Sequence, residues 1–303
     1  MMKKTQTAAV VVTYNRLEML KDCLGALERQ TVPCDILVVD NASTDGTKEF
    51  LEGTGNVSCI RMKENTGGAG GFNTGMKEAV KRGYEYVWIM DDDTIPFPDA
   101  LEKLLDADRI LQGDYGWLCS VPLWKDGKEC RMNRPKLLKA FYLDIHLMRY
   151  GLVRGEQATF VSLFLRTETV RKYGLPVREF FIWGDDIEYT RRLSVRKKLP
   201  CYVAGQSRIT HAMKENVGSS IALDSPERLG RYNYAFRNEN YLYRQDGIRG
   251  VVYYIGKCGV NILRVLLYAE DSRLRRCGII LKQMALGVFF NPKVEYVGRP
   301  GNE

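Results

Sequence analysis

With two histidines and no C-x-x-C pair in 303 residues, the chain offers no ligand cluster for zinc or an iron–sulfur centre. Its eight cysteines are scattered from Cys23 to Cys277, several inside apolar runs where a thiol serves as a small core side chain. Long apolar runs are missing as well. Nowhere do eighteen apolar residues pass without a charge, so no membrane-spanning helix is expected. The opening Met-Met-Lys-Lys-Thr-Gln-Thr leads into only five apolar residues, too few for the hydrophobic part of a secretion signal. A cytoplasmic protein is therefore expected. Among 28 glycines there is neither G-x-x-x-x-G-K-[ST] nor G-x-G-x-x-G, which excludes a P-loop and a dinucleotide fingerprint.

What is present is a chain with 45% hydrophobic residues, enough for one large α/β domain with or without appendages. A net charge of +8 suits an anionic partner. A phosphorylated substrate, an anionic membrane and nucleic acid all qualify, and the charge alone does not choose among them.

The sequence is organised around Ile89-Met-Asp91-Asp92-Asp93-Thr-Ile-Pro96, where the apolar run Tyr86 to Met90 ends in three consecutive carboxylates. Adjacent anions repel, so their collection at a strand end does not serve stability. Strand alternation points Asp91 and Asp93 one way and Asp92 the other, giving two oxygen donors on one side for a hard divalent cation. An acidic surface turn is the plain alternative.

Strands alternate with helices ahead of this stretch. Ala8–Val12 is a continuous apolar run broken by Thr13-Tyr14-Asn15-Arg16, and a helix follows with Leu17, Leu20, Leu24 and Leu27 on one face. Asp35–Asp40 is a second buried strand, and Asn41–Gly46 is turn chemistry before a short helix. Ser58–Met62 is a third strand. Asn65-Thr-Gly67-Gly68-Ala-Gly-Gly-Phe-Asn73 then opens a helix ending near Gly83. Its glycines either let backbone approach an anion at a helix N-terminus or form a flexible connection. The alternation predicts a parallel, twisted sheet with ligands at the carboxyl ends of its strands, where all four polar motifs fall.

Later in the chain, Phe180–Trp183 runs into Gly184-Asp185-Asp186-Ile-Glu188 and a helix. Acidic residues cap helix N-termini favourably, which accounts for Asp185 without excluding a chemical role for Asp186. His211 follows a strand over Tyr202–Ile209, while His146 stands alone in a basic, aromatic insertion over 125–150. That insertion reads as an acceptor-side flap or as core packing. The aromatic helix of Arg231–Tyr241 either carries Arg237 to an anionic ligand or packs on the sheet. Gly250–Phe290 reads as amphipathic helices for an anionic leaflet, or as a helical pair packed on the domain or on a second subunit.

Val12-Thr-Tyr-Asn-Arg16, Val38-Val-Asp-Asn-Ala-Ser-Thr-Asp45, Asn65-x-Gly-Gly-Ala-Gly-Gly-Phe72 and Asp91-Asp-Asp93 occur in the order and spacing of family 2 glycosyltransferases, which the chain resembles over roughly residues 8–245. The resemblance implies a GT-A fold, an α/β architecture with a mostly parallel sheet flanked by helices. It implies a catalytic domain over 1–245, its nucleotide-sugar half about 1–123 and its acceptor half about 124–245, followed by a helical region over 246–303. By the same resemblance Thr13, Tyr14, Asn15, Arg16, Asp40, Asn65, Gly68 and Asp92 hold the nucleotide-sugar donor. Asp91, Asp93 and His211 hold a divalent cation, Mn²⁺ or Mg²⁺; Asp186 is the general base; Trp183 and Asp185 face the acceptor.

The Gly-rich stretch with the later acidic pair most resembles galactofuranosyltransferases using UDP-galactofuranose, with dTDP-rhamnose rhamnosyltransferases as close relatives. This implies an inverting transferase acting on a glycan or lipid-linked acceptor in cell-surface polysaccharide or O-antigen synthesis, peripheral on the cytoplasmic face of the membrane, with oligomers allowed and no nucleic acid. A metal-dependent phosphohydrolase or nucleotidyltransferase would need a phosphate-binding Lys or Arg close to the triple Asp, and none stands there in the sequence. A non-catalytic basic binder leaves both acidic sites without a purpose.

Overall fold

A computed structural model of the chain describes residues 5–213 and 215–298. Met1–Lys4, on which the expected absence of a leader partly rests, and Lys214, in the stretch after His211, lie outside the described residues.

The first strand β1 (Thr7–Thr13) is buried along its whole length, as a run of Ala and Val covered on both faces must be. It is followed by α1 (Leu17–Glu28), β2 (Asp35–Asp40), α2 (Thr47–Gly53), β3 (Val57–Arg61), α3 (Gly67–Lys81) and β4 (Tyr86–Asp91). These four strands are parallel, in the order β3-β2-β1-β4. Leu20, Leu24 and Leu27 of α1 cover one face of the sheet with Trp88 and Met90, while Phe72, Met76 and Val80 of α3 cover the other. The sandwich of helices around a parallel sheet follows from the alternation of apolar runs read in the sequence.

Beyond β4 the sheet becomes mixed. The chain continues through β5 (Thr94–Pro96), α4 (Ala100–Leu111), β6 (Leu118–Leu123), β7 (Lys136–Leu137), β8 (Leu152–Gln157), β9 (Leu163–Arg166) and α5 (Thr167–Tyr173). It then forms α6 (Asp185–Arg191) and β10 (Tyr202–His211). β9 lies antiparallel between β4 and β6, and β10 runs parallel to β6 and antiparallel to β8 and β5. The result is a ten-stranded sheet of order β3-β2-β1-β4-β9-β6-β10-β8-β7, with β5 on β10.

The insertion over 125–150 is only partly core packing: Cys130 is buried and Leu147 packs on the sheet's core. It ends in a 3₁₀ segment, Phe141–Tyr150, whose Tyr142, Leu143 and Ile145 are all exposed. The chain closes with α7 (Tyr232–Arg244), α8 (Gly247–Tyr268) and α9 (Arg273–Phe289). Tyr232, Phe236, Tyr254, Cys258, Val265 and Ile280 form their shared core. Although no charge-free run of eighteen exists, α8 is by length and composition apolar enough to cross a membrane, because its three basic residues are spread along 22 residues.

Candidate active site

Parallel register lines up the strand ends. Thr13 of β1 stands beside Asp40 of β2, and Val12 beside Asp91 of β4, so the polar residues ending these strands share one edge. β10 adds the last member. Its pairing with β5 sets His211 opposite Thr94, and the Ala212 N–H donates to the Asp93 carbonyl at 2.8 Å. A histidine 118 positions away thereby meets Asp93, Nε2 to Oδ1 at 3.0 Å.

The triple Asp differs from the alternating strand end expected. β4 stops at Asp91 and the chain turns, so Asp92 and Asp93 converge: Nη1 of Arg16 donates to Asp92 Oδ1 at 3.2 Å and to Asp93 Oδ2 at 2.8 Å. Thr13 Oγ1 donates to Asp92 Oδ2 at 2.8 Å. A basic residue does stand beside the carboxylates, then, contrary to the sequence reading; the helix turn after β1 brings it back from 76 positions upstream.

Burial and its two neighbours push the Asp91 carboxyl up to about 8. Burial also pushes Asp92 up to about 6 against the pull of Arg16, whereas for Asp93 burial is outweighed by the combined hydrogen bonds and charges of His211 and Arg16, which hold it below the usual carboxylate range. Burial would lower His211, but the Asp93 and Cys130 hydrogen bonds together with the Asp93 and Asp91 charges raise it to about 9. Cys130, 1% exposed, lies with Sγ 3.8 Å from His211 Nδ1, on the ring edge away from Asp93.

Among the described residues, no three His, Cys, Asp or Glu side chains close into a ready metal cluster; Asp93 and His211 are joined by a hydrogen bond, and Asp91 makes none with either. The donor chemistry nevertheless fits a hard cation. Two carboxylates and an imidazole are oxygen-rich donors of the kind Mg²⁺ and Mn²⁺ take. The Asp91 carboxylate forms no side-chain hydrogen bond among the described residues, and its raised proton affinity marks a position short of positive charge.

The expected nucleoside residues lie along the β1–β2 edge. Tyr14 is 43% exposed, and Asn15 takes a left-handed backbone while its Oδ1 accepts from the Thr44 N–H at 2.7 Å, tying the two loops together. Asp40 is fully buried. Its Oδ1 accepts from the Ser43 N–H at 2.9 Å, and its Oδ2 pairs with Arg61 Nη1. Arg61 was missed in the sequence, where the signal was its place at the end of the neighbouring strand.

The Gly-rich stretch is not a flexible connection: it is helical from Gly67 and tied down at its start. Asn65 Oδ1 accepts from the Gly67 N–H at 2.8 Å, and the Ala69 N–H donates to the Phe181 carbonyl at 3.1 Å. Gly67 has φ +71°, and a Cβ there would stand 1.9 Å from that same carbonyl oxygen. Gly68 faces open space, with only Phe72 at 3.9 Å from a Cβ built on it. Asn41, also missed, donates from Nδ2 to the Gly67 carbonyl at 2.8 Å. The stretch thus fastens the donor edge to the loop before α6.

That loop is strained. Phe181 and Trp183 both have positive φ, +63° and +64°, rare for aromatic residues. Asn238 of α7 holds it, Nδ2 donating to the carbonyls of Phe180 at 2.9 Å, Ile182 at 3.2 Å and Trp183 at 2.8 Å. Trp183 packs edge-on to Tyr232, ring centres 5.1 Å apart. Arg237 does not reach toward a ligand: it donates to the Glu179 carbonyl at 2.6 Å and lies over Phe290.

At the N-terminus of α6, Asp185 is 7% exposed while Asp186 is only partly buried and accepts from the Ile187 N–H at 2.7 Å. Burial pushes Asp186 up to about 6. Burial, the Asp186 charge and the Asp91 charge push Asp185 well above its ordinary range. Glu188 is structural, fully buried against Arg192 at 2.7 Å and Arg196 at 3.1 Å.

Comparison with known proteins bears on the family and the fold. The model of glycosyl transferase family 2 matches residues 8–161. Galactofuranosyltransferase GlfT1 of Mycolicibacterium smegmatis is 30% identical over 259 residues, covering 80% of this chain and 84% of its own. GlfT1 of Mycobacterium tuberculosis H37Rv is 29% identical over 262 residues, covering 80% and 83%. Staphylococcus aureus TarS 1-349 in complex with UDP has a TM-score of 0.51 at 17% identity, covering 95% of this chain and 73% of that one. GalNAc-T7 with UDP, GalNAc and Mn²⁺ has a TM-score of 0.63 at 15% identity, covering 93% and 57%. The structural likenesses bear on the fold and agree with the GT-A architecture expected; the sequence relatives bear on the family. The chain belongs to glycosyl transferase family 2 and is a glycosyltransferase.

Proposed function

We propose that the protein is an inverting, divalent-cation-dependent transferase that moves galactofuranose from UDP-galactofuranose to a hydroxyl of a glycan or lipid-linked glycan acceptor. The observation that carries this reading is that the fold fastens two acidic clusters to one region: Asp91–Asp93 end β4, and Asp185-Asp186 open α6 just after Phe181, whose carbonyl accepts from the Ala69 N–H of α3 at 3.1 Å. One cluster suits a diphosphate with its cation, the other a hydroxyl to be deprotonated. The choice of sugar rests on the GlfT1 relatives, and the choice of UDP and Mn²⁺ is supported by the ligands named for TarS and GalNAc-T7.

In this reading residues 1–245 are the catalytic unit, residues 246–303 an accessory helical one, and the reaction takes place on the cytoplasmic face of the membrane. Tyr14 lies along the base, and Asp40 receives the base or ribose where the donor displaces one of its two present partners, Arg61 or the Ser43 N–H. Thr13, Asn15, Asn65 and Gly68 shape the donor edge. Asp92, fixed between Thr13 and Arg16, meets the donor sugar. Asp91, Asp93 and His211 would hold the cation, which when bound neutralises charge on the departing diphosphate.

Asp186 takes the proton from the acceptor hydroxyl, whose oxygen attacks the anomeric carbon opposite the leaving nucleotide. Trp183 and Asp185 orient that acceptor. Because burial lifts Asp186 to about 6, it is ionised at neutral pH yet a stronger base than an ordinary aspartate.

The test is transfer from UDP-galactofuranose and from dTDP-rhamnose to a synthetic alkyl galactofuranoside, with the product's anomeric configuration read by NMR. A β-galactofuranosyl product from UDP-galactofuranose, whose donor bond is α, is expected. Rhamnosyl transfer would move the assignment to the neighbouring donor class, and a retained configuration would sink the single-displacement scheme.

A further inference from the structure

The C-terminal hairpin of α8 and α9 carries three basic residues in the first helix and four in the second, without one Asp or Glu in either. In α8, Ile248, Val252, Ile255, Leu263 and Leu266 are each at least half exposed. At about 100° per residue they fall in one stripe narrower than a quarter of the helix circumference. In α9, Leu274, Leu281 and Val288 recur every seven residues and are likewise more than half exposed, with Phe289 at 85%. Apolar stripes of this length on a protein surface mark a contact with something else.

The character of the partner follows from the charges. Lys257 is engaged with Glu239 and Arg276 is buried, which leaves Arg249, Arg264, Arg273, Arg275 and Lys282 exposed along the same two helices. A second copy of the hairpin would bring these cations against each other with no helix acid between them. An anionic surface with an apolar interior answers both features at once. Tyr253 and Tyr268, each about 60% exposed, add side chains that favour the boundary between the two.

Crossing the bilayer is not open to α8 in this fold. Its opposite face is spent on α7, where Tyr254 and Cys258 are buried and the Tyr254 hydroxyl donates to the Phe236 carbonyl at 2.9 Å. We propose that α8 and α9 lie flat on an anionic lipid surface, apolar stripes in the acyl boundary and arginines among the headgroups. The proposal deepens the membrane-face reading above and does not depend on which sugar is transferred.

The test is flotation of the full chain with vesicles of phosphatidylcholine alone or with one-third phosphatidylglycerol. The protein is expected to float with the anionic vesicles only, and to be released by alkaline carbonate. Arg249→Gln/Arg264→Gln is expected to weaken partitioning roughly thirtyfold. Ile255→Ser/Leu263→Ser, with charge unchanged, should lose at least about tenfold. Both should keep the wild-type melting temperature and donor turnover.

Wild-type protein that stays at the bottom with either vesicle would overturn the proposal, as would variants that float as it does. Resistance to carbonate would replace it with a spanning helix. A lipid-free dimer abolished by Ile255→Ser/Leu263→Ser would assign the face to a second copy. Loss of sugar transfer with flotation intact would overturn only the proposed chemistry.

Discussion

Asp186 and Asp185 are neighbours at one helix start, yet their surroundings give them different work. Asp186 is the more accessible, and its carboxyl is lifted to about 6 by burial. Asp186→Asn is expected to lower turnover about 10³-fold while nucleotide affinity stays unchanged, measured by initial rates and calorimetry. A base must be deprotonated to act, so the wild-type rate should be flat above pH 6 and fall about tenfold per unit below it. A profile with no limb near 6 would remove Asp186 from the role. At Asp40 the partner matters as much as the acid. Arg61→Met leaves a fully buried carboxylate without its ion pair, expected to cost about 3 kcal/mol in urea unfolding at neutral pH.

The triple Asp, the Thr-Tyr-Asn-Arg loop and the Gly-Asp-Asp pair were legible in the sequence because each ends an apolar run, and the first two meet by topology as strand ends on one edge. Arg16 folding back on Asp92 and Asp93 was not legible, since strand alternation fails once the chain turns after Asp91. Arg61 and Asn238 were missed for another reason: each acts on residues brought close only by the fold.

At the scale of elements, α3 and the loop before α6 behave as one device. Gly67→Ala places a Cβ against the Phe181 carbonyl in a left-handed backbone and is expected to cost at least about 2 kcal/mol. Gly68→Ala, one residue on, meets open space and should change stability by less than about 1 kcal/mol. Equal effects from the two would mean that the loop does not rest on α3. Asn238→Ala removes the donor shared by three carbonyls of the same loop, at about 2 kcal/mol. Because that loop carries Trp183 into α6, kcat should fall while the KM for nucleotide sugar holds.

The elements themselves were read unevenly. β1, β2 and β4 were plain as buried apolar runs alternating with helices, and β3 was read from its place in that alternation. β9 has four residues, and so short a run cannot announce that it will insert antiparallel between β4 and β6. The insertion over 125–150 was ambiguous because its aromatic content suits core and surface alike. The fold divides it: Tyr142, Leu143 and Ile145 are exposed, while Cys130 is buried and Leu147 packs on the core.

Over the whole molecule, the parallel half supplies Asp40 and the triple Asp, while the mixed half supplies His211 and Asp186. His211 reaches Asp93 only through the β5–β10 pairing, so a donor complex engaging both halves should stabilise the protein as a unit. With Mn²⁺ present and UDP at a hundred times its Kd, about 2.7 kcal/mol of added stability is expected, seen as a rise of several degrees in Tm. UDP that leaves Tm unchanged would argue against binding to the folded state.

Calorimetric titration of UDP, with and without Mn²⁺, into wild-type protein and Asp93→Ala tests the central claim most directly. Tight binding only with Mn²⁺, lost in the variant, is the predicted result. Equal binding without the cation, or undiminished binding by Asp93→Ala, would contradict a donor site built on these carboxylates.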